Sequence, residues 1–277
     1  MALTAARAIV KDVARTRPAA VAGTFYPGHR RVLASVIDAF IGSATRQNGR
    51  PKALVVPHAG YNYSGPIAAS AYAQLREPWP TRVVLLGPAH FEPVKGMALP
   101  GAEAFSTPLG EVPVDAAAVT VLAGMPGVVT STAAHAREHS LEVQLPFLQR
   151  VLPTFTLVPL AMGQAGMEDV TRVLEALWGG EETLVLISTD LSHYLPCEMA
   201  RALDQATALS ILACDPAIAS DQACGAEGLR GLLQVARHRN LSVEQLDLRN
   251  SGDTAGDPAR VVGYGAFAFY EGARHDP

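Results

Sequence analysis

Hydrophobic positions along the chain fall into short, nearly unbroken aliphatic runs, separated by longer stretches of helical periodicity. The runs predict strands over residues 53–57, 82–86, 156–160, 184–188 and 261–269, with a fainter one over 244–248. Because they lack an apolar/polar alternation, these strands are expected to be covered on both faces. The 3.6-residue pattern predicts helices over 32–41, 65–75, 114–123, 141–151, 167–177, 197–213 and 226–237. Strands alternating with helices define an α/β domain. Some boundaries have local causes. Ser64 can cap the second helix, with Gly65 and Pro66 at its first positions. Leu141, Leu145, Leu148 and Leu152 form one apolar stripe, in which Pro146 is expected to introduce a kink. The Pro- and Gly-rich stretch 87–109 reads as one long loop, and loops of that size are often functional.

Composition narrows the classes. With 277 residues, 49% hydrophobic and 17% charged, the chain can bury one large core, and no repeat or interdomain linker divides it. A net charge of −4, with no basic block, argues against a nucleic-acid surface. No apolar run approaches the roughly 18 residues of a membrane span. The amino terminus, broken by Arg7, Lys11, Asp12 and Arg15, lacks the apolar stretch of a secretory signal and reads as a surface extension. Three cysteines without a CxxC pair fit a reducing cytoplasm.

Histidines recur where strands end. "ALVVPHAGYNYSG" places His58 after the first run, "VVLLGPAHF" places His90 after the second, and "LVLISTDLSHY" places Asp190 and His193 after a third. Open α/β sheets bind ligands beyond the carboxyl ends of their strands, so parallel neighbours would bring these residues together. One such histidine is an ordinary turn residue, whereas three repeats of the pattern favour a site. Neutral imidazoles suit Fe, Cu or Zn. Cys224, just before the helix predicted from Ala226, is the candidate third ligand, with the helix N-terminus expected to favour its thiolate. Cys197 and Cys214 belong to another predicted helix and read as small buried hydrophobes.

Rival motifs are weaker. "HAREH", His135 to His139, matches the HxxEH string of inverted zinc peptidases, but Ser140 reads as an N-cap and the helix then starts too late to carry both histidines. Glu138, His139 and Glu142 remain open between a capping cluster, proton-handling groups and partners that orient metal-bound histidines. Asp190, Ser192 and His193 stand too close in sequence for a hydrolytic triad, and no Walker, GxSxG or GxGxxG loop is present.

The blocks "RPAAVAGTFYPG", "VVPHAGYNYSGPIAASAY", "LLGPAHF", "EHSLEVQLPFLQ", "STDLSHY" and "ACG" occur in an order that resembles the MEMO family, whose bacterial and archaeal members are called AmmeMemoRadiSam system protein B. The resemblance spans about residues 17–271, leaving 1–16 as an N-terminal extension and 272–277 as a tail. It implies a single-domain α/β sandwich with a central mixed sheet flanked by helices, similar to LigB-type class III extradiol dioxygenases. In family terms His58, His90 and Cys224 match metal-binding positions and His193 an acid/base. The implied cofactor is one mononuclear metal, Fe(II) foremost, with Cu or Zn also compatible. Cys224 stands where the dioxygenases use a carboxylate, which puts catechol cleavage in doubt. The expected chemistry is redox or oxygen-dependent, on a small planar or phenolic substrate lined by Tyr61, Tyr63 and His139. His193 would move a proton, with Asp190 or Glu142 setting its tautomer. The rival reading is a non-catalytic module binding a peptide or protein, and the resemblance also implies radical-SAM and AMMECR-type partners.

Overall fold

In a computed structural model, the described residues are 16–47, 49–75 and 79–272. The proposed extension and tail lie outside them, apart from Thr16 and Gly272. The strands are β1 (Thr16–Arg17), β2 (Ala53–Val56), β3 (Arg82–Pro88), β4 (Met97–Leu99), β5 (Ala104–Thr107), β6 (Gly110–Pro113), β7 (Val128–Thr130), β8 (Thr156–Met162), β9 (Thr183–Ser188), β10 (His193–Leu195), β11 (Ser242–Asn250) and β12 (Val261–Tyr270). The helices are α1 (Arg30–Ser43), α2 (Tyr61–Tyr72), α3 (Ala116–Leu122), α4 (Thr132–Ala136), α5 (Leu145–Val151), α6 (Met167–Leu177), α7 (Cys197–Leu212) and α8 (Ala226–His238).

Nine strands form one mixed sheet in the order β10-β12-β2-β9-β3-β8-β4-β7, with β11 beside β12, while β1, β5 and β6 make a small second sheet. At its centre β2, β9, β3 and β8 run parallel, and β12 and β4 run against them. The central strands divide their side chains by the two-residue period. Leu54, Val56, Val83, Leu85, Leu184 and Leu186 join the core under α1, α2 and α5. Ala53, Val55, Val84, Leu86, Val185 and Ile187 join the core under α3, α6, α7 and α8. Both faces are therefore apolar, which is why these runs show no alternation.

Three expectations are corrected. The 87–109 stretch contains β4 and β5, whose three- and four-residue lengths leave little periodicity to read. Helix α2 starts at Tyr61 with Gly60 as its N-cap, so Pro66 lies inside it and Ser64 donates to Ala59 O at 2.9 Å instead of capping. A 3-10 turn over Glu142–Gln144 precedes α5, which puts Pro146 in the first turn of α5. There its missing N–H costs no hydrogen bond and no kink follows.

Candidate metal centre

Strands β2, β3 and β9 end on the same side of the sheet, β9 between the other two. His58 follows β2 by two residues, and its backbone N–H donates to Asp190 Oδ1 at 2.7 Å, fastening the β2 turn to the loop after β9. His90 follows β3, where Ala89 N donates to Met162 O at 2.8 Å. His139 arrives from the turn between α4 and the 3-10 helix. The ring centroids lie 5.2 Å apart for His58 and His90, 5.5 Å for His58 and His139, and 4.6 Å for His90 and His139. One ligand atom from each of the three lies within 4.8 Å of the others. These three histidines could hold a metal ion.

The supports of two rings show how each is aimed. His90 Nδ1 stands 2.9 Å from Glu138 Oε1, and its backbone N–H donates to Oε2 at 2.6 Å. Burial opposes ionisation of Glu138, but the His90 ring and the N–H groups of Ser140 and His90 outweigh it and hold its pKa down to about 2. An ionised carboxylate can only accept, so His90 Nδ1 carries a hydrogen, and the neutral form of the ring then has a bare Nε2. His58 Nδ1 lies 3.0 Å from Ser188 Oγ. The buried Nδ1 of His139 has no hydrogen-bond partner and sits 3.4 Å from Glu138 Oε1. Burial first, then neighbouring imidazoles, lowers His58 to about 3 and His139 to about 4, so both rings are neutral at pH 7.

Cys224 Sγ lies 3.3 Å from His58 Nε2 but outside the mutually close histidine group. Its thiol is pushed up to about 12 by burial and the Asp190 carboxylate, against the lowering expected from the α8 N-terminus. Donors sharing one ion at about 2.0–2.3 Å stand roughly 3.3–3.6 Å apart in tetrahedral geometry, a spacing that Cys224 Sγ and His58 Nε2 meet, and nitrogen and sulfur donors are of the kind that suits a borderline transition metal. Neutral imidazoles and the orphaned His139 nitrogen support the same fit.

The remaining sequence-derived residues fall in different places. Asp190 is buried on the His58 amide, and burial raises its pKa. His193 is half-buried at the start of β10. Glu142 is fully buried as a clamp: it pairs with Arg17 and accepts from Ala20 N, Val21 N and Tyr26 Oη. Among the described residues no hydrogen bond links Glu142 to the histidines, so as placed it sets no histidine tautomer. Tyr61 is buried, its hydroxyl donating to Val143 O at 2.7 Å and its ring against Phe147, so it packs the core instead of lining an entrance. Tyr63 is exposed. His135 is buried in α4 with Nε2 on Ala98 O, and Glu138 and His139 follow beyond the helix, so HAREH does not supply a zinc-peptidase helix.

Sequence reasoning missed the residues that build these supports. Arg17 binds His135 O at 2.9 Å and also Glu138 O, tying the amino-terminal segment to the loop that carries His139. Phe25 packs on His139 at 4.7 Å, and Phe91 at 5.9 Å. "RPAAVAGTFYPG" held Arg17 and Phe25, but nothing local to it reveals partners more than a hundred positions away.

The fold and site thus define an α/β protein with a strand-end histidine cluster able to hold a metal. Residues 17–268 match the model of the family described as Memo-like protein, and the chain belongs to that family. It is 35% identical to a MEMO1 family protein of Aquifex aeolicus over 90% of this chain and 97% of that protein. It is 36% identical to one of Methanopyrus kandleri over 92% and 99%. Among solved structures, an uncharacterized protein of Escherichia coli K12 aligns at TM-score 0.49 and 16% identity, covering 76% of this chain and 98% of that one. No helix among the described residues is long and apolar enough to cross a membrane.

Proposed function

We propose that the protein binds one transition-metal ion through His58, His90 and His139, with Cys224 Sγ close enough to add a sulfur donor. The site then serves redox or oxygen-dependent chemistry on a small planar or phenolic substrate. The observation that carries this reading is the convergence of three imidazoles within 4.8 Å, two of them with a bare Nε2 or a buried, unpartnered nitrogen. Fe(II) is the ion that the family resemblance favours, and Cu or Zn fits the same donors. Such an ion would supply Lewis acidity and, for Fe or Cu, electron transfer. The chain's own contribution is orientation and proton handling. Glu138 aims His90, Phe25 and Phe91 shield His139 from water, and His193 takes or gives a proton at the open side, with Asp190 beside it.

The test is element analysis of anaerobically purified protein. About one iron, copper or zinc per chain is expected, lost in His58→Ala and His90→Ala, with oxygen uptake in the presence of some catechols. A metal-free wild type that its variants match would sink the reading. The second reading, a peptide- or protein-binding module, draws on Tyr63 and Phe91, exposed aromatics of the kind that anchor partners. Peptide binding that persists in EDTA would favour it.

A further inference from the structure

We infer that Ser188, the last residue of β9, fixes the tautomer of His58, and that Ser140 couples this support to the carboxylate that orients His90. Proton counting at one hydroxyl carries the inference. A serine hydroxyl has a single hydrogen and two lone pairs. At Ser188 three partners meet Oγ: Ser140 O at 2.6 Å, Gln144 Nε2 at 2.8 Å and His58 Nδ1 at 3.0 Å. The Ser140 carbonyl can only accept, so it takes the one hydrogen. Gln144 Nε2 can only donate, and the orientation of its amide is fixed independently. The same nitrogen reaches Pro57 O at 3.0 Å, while Oε1 accepts from Tyr72 Oη at 2.7 Å. Towards His58, Ser188 is therefore left with a lone pair. The hydrogen of the neutral His58 ring sits on Nδ1, and Nε2 is bare on the side where Cys224 lies.

Register explains the placement. Ser188 pairs with Val56 across the parallel β2–β9 ladder, two residues before His58, and its side chain is fully buried. Ser140 connects both supports: its carbonyl takes the Ser188 hydrogen, and its N–H donates to Glu138 Oε1 at 2.8 Å, the oxygen that also receives His90 Nδ1. One residue thus links the groups that turn two imidazoles the same way. Ser188 acts through His58 and is a positioning residue. The inference rests on the proposed metal reading only for its consequence, that both bare Nε2 atoms are ready to ligate.

Long-range proton–nitrogen NMR on 15N-labelled, EDTA-treated protein at pH 7 tests it. Wild-type His58 and His90 should both show the hydrogen on Nδ1. In Ser188→Ala, with its fold verified from the amide spectrum, His58 should become mixed or inverted while His90 is unchanged. Binding of added Zn2+ should weaken about tenfold, the lower end of what loss of such a support costs. Wild-type His58 carrying its hydrogen on Nε2 overturns the inference, a result that needs no variant. So does a folded Ser188→Ala with the His58 pattern unaltered. The expected tautomers in a wild type that binds no metal would uphold this inference and remove the proposed function, so the two failures are distinct.

Discussion

A buried carboxylate stays ionised only if donors surround it, and Glu138 has three: His90 Nδ1, His90 N and Ser140 N. In Glu138→Gln the amide NH2 must face at least one of these donors, leaving a buried mismatch and a loosened His90 ring. Zn2+ affinity should fall roughly 10–100-fold, measured by competition with a chromophoric chelator. Glu142, four residues on, is as deeply buried but holds Arg17, Tyr26 and the backbone of the amino-terminal segment. In "REHSLE" the two acids look alike. Which one serves the histidines was not legible, because their partners lie 48 positions away for one and up to 125 for the other. The nearness of His58 and His90 was legible, since each follows an aliphatic run within four residues and parallel strands deliver their ends to one side. His139 was read only as a pocket residue, because the turn that carries it has no periodicity.

At the level of elements, the central strands could be read because both faces are buried, and α6 matches its predicted bounds of 167–177 because its apolar stripe is strong. The short strands β4, β5 and β7 and the opening turn of α2 were missed, being set by neighbours and not by local preference. One close approach between elements has a consequence for the site. A Cβ on Gly87, in β3, would stand 2.8 Å from Ser140 Oγ and 3.0 Å from Leu141 Cδ2. Gly87→Ala should therefore push the Ser140 segment off the strand. Overpacking of this kind costs roughly 1–3 kcal/mol, read as a lower urea midpoint. Because Ser140 adjoins both histidine supports, metal affinity should fall along with stability. An unchanged midpoint would mean that the segment yields freely.

At the scale of the whole molecule, three histidines among the described residues, His58 and His135 buried and His139 largely so, are held as neutral rings: His58 at about 3, and His135 and His139 at about 4, against 6.5 in an unfolded chain. Burial is the leading cause in each. Between pH 6.5 and 4 the unfolded chain binds up to three protons that the native protein does not, so stability falls as pH drops, by up to about 4 kcal/mol per pH unit. Glu138, held at about 2 against 4.5, adds a contribution that is complete above 4.5 and lost as pH falls towards 2. Urea midpoints of EDTA-treated protein should decline steeply from pH 7 to pH 5. A flat profile would mean that these rings titrate normally.

Strand β12 pairs with β2, yet more than two hundred residues separate them in the chain. While the polypeptide emerges from the ribosome, β2 and the turn behind it must wait for residues 267–269 before that edge is covered. An uncovered strand edge invites association with other chains, so the nascent protein is most vulnerable just before its synthesis reaches β12. A strand that carries no ligand thus closes the edge of the strand that delivers His58.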